Sequence, residues 1–149
     1  MILDGALMFD NPSSLAIGTG TQVSANTLDL VNFRNLGIDT DLEVMVQVGT
    51  TFTGTAGGTL TYALQGSIDN SAWTTMLQSP TFGLTNLTAG AQLGIAGFPD
   101  TVPGQALPRY LRLLWTVAVQ AFTAGTVTAG LVLDRQRNIQ YAAGITITN

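Results

Sequence analysis

Leu111, Leu113, Trp115 and Val117 are apolar at every second position, and after Ala124-Gly125 the same period resumes with Val127, Ala129, Leu131 and Leu133. That period lays one face of a strand on a core. Gly takes positive φ without steric penalty, so Ala124-Gly125 predicts a turn and the whole of 107–134 an antiparallel hairpin. The alternate positions carry Arg112, Thr116 and Ala118, then Thr126, Thr128 and Gly130, which predicts an outward, mostly wettable face.

Earlier segments repeat the pattern. Leu42, Val44, Val46 and Val48 alternate with Glu43, Met45 and Gln47, and beyond a polar Thr51 to Gly58 turn Leu60, Tyr62 and Leu64 alternate with Thr61, Ala63 and Gln65. This predicts a second hairpin. The run from Ile2 to Phe9, followed by the turn-forming Asp10-Asn11-Pro12-Ser13-Ser14, predicts an N-terminal arm or first strand over 1–14. From Val23 to Val31 the alternation drifts, as in a bulged strand, and Phe33 to Asp41 reads as loop. Trp73 to Gln78 predicts a short edge strand ended by Pro80. Phe82 to Leu87 and Leu93 to Phe98 precede a Pro-rich connection from Pro99 to Pro108.

No stretch keeps the i, i+3, i+4 pattern long enough for a helix. Strands at roughly ten-residue spacing with turn clusters between them predict an all-β jelly-roll β-sandwich in one domain, 1–149. The C-terminal tail, 135–149, stands outside that core. Its Tyr141, Ile145 and Ile147 alternate loosely enough to add a strand to a neighbouring sheet.

Composition narrows the chemistry. Charged residues are 9% of the chain, the net charge is -4, and no Lys is present. The five Arg are scattered, so no basic patch for nucleic acid is expected. Cys and His are both absent, which removes thiolate chemistry, the commonest general base and the commonest zinc ligand. No Ser has a His partner, and no pair of acids stands apart for acid-base work, so an enzyme is not expected. Asp39, Asp41 and Glu43 form the tightest acidic group, but they lack the spacing of a calcium loop and read as a solvated strand start. No metal or other cofactor is expected. The start lacks a basic region and reaches Asp4 at once, unlike a secretory signal, and no apolar run approaches the ~18 residues of a membrane span.

Trp115 reads as core. Trp73 follows Asp69-Asn70-Ser71; packing is the first reading, and an aromatic beside a polar loop is also how sugar sites are built.

Arg109-Tyr110-Leu111-Arg112-Leu113 and the run from Thr123 through Gly130-Leu131-Val132-Leu133-Asp134-Arg135-Gln136 resemble the capsid cement (decoration) proteins of tailed bacteriophages, of the Bbp16-like type. Met1-Ile2-Leu3-Asp4, Thr27-Leu28-Asp29-Leu30 and Leu60-Thr61-Tyr62-Ala63-Leu64-Gln65 fit the same pattern, whereas Thr81 to Pro108 does not match closely. The resemblance implies a jelly-roll subunit, assembled in the host cytoplasm, that forms a homotrimer on the outer surface of the virion capsid and bridges neighbouring major capsid proteins. Its expected contact residues are Ile2, Leu3, Leu7 and Phe9 in the arm and Arg135, Arg137, Tyr141, Ile145 and Ile147 in the tail. A competing likeness joins Gln65 to Trp73 and Arg109 to Leu113, which are similar to the strand patterns of discoidin-like sugar-binding modules. A tail or baseplate connector built on the same sandwich is a third reading.

Overall fold

The computed structural model describes residues 5–15, 18–30, 42–94 and 108–133. These form an all-β architecture of two antiparallel sheets. The strands are β1 (Met8–Ser14), β2 (Gly20–Val23), β3 (Leu28–Asp29), β4 (Leu42–Gly54), β5 (Thr59–Ser67), β6 (Thr74–Gln78), β7 (Phe82–Gly83), β8 (Tyr110–Ala118) and β9 (Phe122–Leu133). One sheet has the order β1-β9-β4; the other runs β2-β8-β5-β6, with β3 continuing the β2 edge along β8 and β7 continuing the β6 edge along β5. A further short stretch flanks β4: Val48 donates to the Ala91 carbonyl, and Gly90 and Leu93 donate to the carbonyls of Val48 and Val46.

The period-two pattern predicts the buried faces correctly. Val44, Val46, Val48, Val127, Ala129 and Leu131 of the first sheet meet Leu60, Tyr62, Leu64, Leu111, Leu113, Trp115 and Val117 of the second in one core. Tyr62 and Trp115 lie at its centre with ring centroids 5.4 Å apart, and the Tyr62 hydroxyl donates to the Leu93 carbonyl.

The strand partners differ from the two predicted hairpins. β8 and β9 lie in different sheets, joined by a corner at 119–121, and β4 and β5 are likewise divided between the sheets. β9 pairs β4 and β1, while β8 pairs β5 and β2. Period two fixes which face a strand buries, and it is silent on which neighbour accepts its hydrogen bonds. Thr51 to Gly54 extend β4, where a turn is expected from the sequence, because threonines bridge the strands: Thr50 to Thr126 at 3.0 Å and Thr53 to Thr123 at 2.9 Å between hydroxyls. The predicted turn glycine, Gly125, sits inside β9 at φ +150°, and the Phe52 ring lies only 2.5 Å from where a Cβ would stand. The glycine makes room for a core ring rather than a reversal.

The actual corner holds Val119 at φ 68° with 68% of its surface exposed. Positive φ is unusual for a β-branched residue, whose Cβ crowds its own backbone there.

The turn predicted at 10–14 is also strand. β1 pairs β9 through irregular register from Met8 to Ser14, and Pro12 is tolerated because β1 is an edge that needs no donor there. The expected arm is therefore, over these residues, part of the first sheet. Gly130, expected on a wettable face, is buried beneath Met8, whose Sδ would lie 2.8 Å from an added Cβ.

Candidate interaction surface

The two outer faces differ. On the first sheet Met8, Met45 and Val132 are nearly as buried as the core. On the second sheet the outward side chains, apart from the buried Gln65 and Ser67, are half-buried or exposed, and they form rows across the strands. Val23, Leu114, Ala63 and Gln78 make one row, and Thr21, Thr116 and Thr61 make the next. Val23 is 46% exposed. The centre of this face carries no charge.

Charge gathers at one end, in the rows of Arg112 with Gln65 and Thr75, and of Tyr110 with Ser67 and Asp29. Arg109 forks onto Asp29, with Nε and an Nη donating at 2.9 and 3.0 Å, and its guanidinium lies 4.9 Å from the Tyr110 ring centroid. The hydrogen bonds to Asp29 hold the Arg109 pKa above its ordinary value. Arg112 donates from Nε to the Gln65 side-chain oxygen at 2.9 Å and stacks 4.0 Å from the centroid of the Trp73 ring. Partial burial pushes its pKa down, though a guanidinium stays charged through physiological pH.

Trp73 is aimed by the loop that precedes β6. The Asp69 carboxylate accepts from the backbone N–H of Ser71 and Ala72 and from the Ser67 hydroxyl, and Asn70 takes the left-handed conformation at φ 60°. Those bonds favour the ionised form and lower the Asp69 pKa, the Ala72 N–H contributing most. One face of Trp73, a sequence candidate for sugar stacking, is thus taken up by Arg112.

A second polar cluster ties the sheets together. Asp10 is only 1% exposed, and its carboxylate accepts from the Trp115 indole N–H at 3.0 Å and from the Ala25 N–H at 2.9 Å. Asn26 donates to the carbonyls of Phe9 and Met8, and Ser24 exchanges bonds with Leu113. β1 is thereby fastened to β8 across the core. In sequence Asp10 reads as a turn residue; the signal missed is an acid directly after the apolar Met8-Phe9 pair.

The residues predicted to make contacts fall in two groups. Leu7 is partly buried against the core, and Phe9 has no exposed surface because its ring belongs to the chain's own core. Phe9 is therefore a packing residue, which corrects its expected role at an interface. Ile2, Leu3, Arg135, Arg137, Tyr141, Ile145 and Ile147 lie outside the described residues, as do Asp39 and Asp41 of the acidic group. The pairing of Arg112 with Trp73 joins two segments whose proximity only the β5–β8 register creates, so neither residue signalled the other in sequence.

Among the described residues no group of His, Cys, Asp or Glu is arranged to hold a metal ion, and no helix is long and apolar enough to cross a membrane. Comparison with curated proteins finds none that matches. The Bbp16 family model matches residues 13–131, a span that takes in both sheets. The chain belongs to the Bbp16 family, a phage-related family.

Proposed function

We propose that the chain is a structural virion protein: a jelly-roll subunit that trimerises on the outside of a phage capsid and cements neighbouring major capsid proteins. The observation that carries the reading is the open, uncharged centre of the second sheet's outer face, set in a chain of a phage-related family. A surface that mates with a shell gains about 25 cal/mol for each Å² of apolar area buried. An unpaired charge buried there costs several kcal/mol. Rows of Thr, Val, Leu and Ala suit that balance.

The strand orders favour the jelly roll. Two interlocked Greek keys require a chain that alternates between sheets, as at the β4–β5 and β8–β9 corners, and the stretch at 90–93 flanking β4 stands where an eighth strand would lie. Cementing needs no active site. A protein that binds assembled shell and not loose subunits favours assembly by mass action. A cyclic trimer needs two different patches on each subunit. The sequence offers Ile2 and Leu3 at one end and the 135–149 tail at the other as further contact elements.

Light scattering behind a sizing column tests the assembly. The expected mass is three times the 15.6 kDa of one chain; a monomer that stays monomeric with shells present would overturn the trimer. Deleting residues 135–149 without changing that mass or shell binding would remove the tail from the contact set.

A further inference from the structure

The second sheet's two described arginines are handled differently. Arg109 is neutralised by a bidentate ion pair with Asp29, which the pairing of β3 with β8 brings alongside. Arg112, three residues on and on the outer face of β8, has no carboxylate within ion-pair distance among the described residues. It is nevertheless held in place from two sides, by the Gln65 amide oxygen and by the Trp73 ring. Gln65 is itself 8% exposed, and the loop that presents Trp73 is closed by Asp69.

A guanidinium has five N–H donors in a planar fork. Nε serves Gln65, and the outer fork of the group meets no acceptor among the described residues. Stacking removes water from the ring-facing side without supplying a countercharge. The chain thus fixes a partly desolvated cation, with its side-chain entropy already spent, beside the apolar row of Leu114, Ala63 and Val23. Ordered Arg and Trp next to an apolar patch are the usual make-up of the residues that dominate an interface.

We propose that Arg112, braced by Trp73 and Gln65, is the socket for a carboxylate side chain of the shell protein, which docks its adjoining apolar surface on the Val23–Leu114–Ala63 row. Charge complementarity selects the occupant. A fork-shaped cation lacking a countercharge pairs bidentately with Asp or Glu, and the apolar row next to it suits a protein surface better than a free anion. The inference rests on the proposed function for the partner's identity, while the carboxylate preference is a property of this chain alone.

Two arms keep these separable. In the first, the indole N–H signal of Trp73 is followed by NMR while the full chain is titrated with capped hexaglutamate. A saturable shift is expected with hexaglutamate and not with hexaglutamine, lost in Arg112→Met and weakened in Arg112→Lys, which keeps the charge without the planar fork. No saturable shift, a shift that survives Arg112→Met, or a response to inorganic phosphate or a neutral sugar in place of hexaglutamate would each overturn the socket. In the second arm, Arg112→Met is mixed with shells lacking the protein; attachment is expected to weaken at least about tenfold with an unchanged unfolding midpoint. Wild-type attachment matched by Arg112→Met would overturn the inference and leave the proposed function standing. Failure of wild type to attach at all would remove the proposed function, with the peptide arm still deciding the socket.

Discussion

Replacing Asp10 probes the bond that fastens the two sheets. Its carboxylate is buried, and it satisfies the Trp115 indole N–H and the Ala25 backbone N–H at 3.0 and 2.9 Å. In Asp10→Ala both donors lose their acceptor. A buried donor left unpaired costs about 1–3 kcal/mol, and Trp115 has no exposure through which water could replace the carboxylate. Ala25 lies nearer the surface and costs less. The removed carboxylate also gives back its own desolvation penalty, so the net loss is about 3 kcal/mol. For a chain of this size that lowers the unfolding midpoint by roughly 6–12 °C. Asp10→Asn keeps one acceptor and turns an N–H against the other donor, so it loses about half as much. Replacing Trp115 by Phe removes the more demanding donor, and the Asp10→Asn penalty should shrink in that background. Urea unfolding of the four proteins in that cycle, followed by far-UV circular dichroism, gives the coupling, expected at roughly 0.5–1.5 kcal/mol. Destabilisation by Asp10→Ala below about 0.5 kcal/mol, or coupling near zero, would refute the clamp.

Three other perturbations bear on the fold. Gly125→Ala drives a Cβ into the Phe52 ring at a φ that favours glycine, and thermal unfolding should show a loss of roughly 2–4 kcal/mol. Val119→Gly relieves the strained corner, so the same assay should show a gain of about 1 kcal/mol; destabilisation would mean that the Val119 side chain does more than occupy the corner. Asp69 has a lowered pKa when folded, so its contribution is present above its unfolded value, near 3.8, and is lost as pH falls through the lower folded pKa. Trp73 fluorescence should therefore change on acidification below about pH 4, and Asp69→Asn should abolish that transition.

The inward face of every long strand was legible in sequence, because apolar residues at alternate positions have only one face to bury. Leu111, Leu113, Trp115 and Val117 are the clearest case. The neighbours were not legible. A short link such as 119–121 suits a hairpin and an inter-sheet corner equally well, and β9 pairs with strands as far away in sequence as β1. Glycine was misleading for a related reason: Gly125 answers to Phe52, a residue whose approach only the fold creates. The candidate surface was half visible. Arg112 was placed outward by its position in the alternation, but its stack on Trp73 needed the β5–β8 register. Asp10 was hidden because Asp-Asn-Pro-Ser-Ser suits a turn, and its burial depends on an indole more than a hundred residues on.

The most direct measurement of the central claim is a cryo-electron microscopy reconstruction of phage shells lacking this protein, before and after incubation with the purified chain. The account predicts added three-fold density on the outer surface, bridging adjacent capsid subunits and fitted by the two-sheet sandwich with the Val23–Leu114–Ala63 face against the shell. Bare shells after incubation at saturating protein, or density confined to the tail, would contradict it.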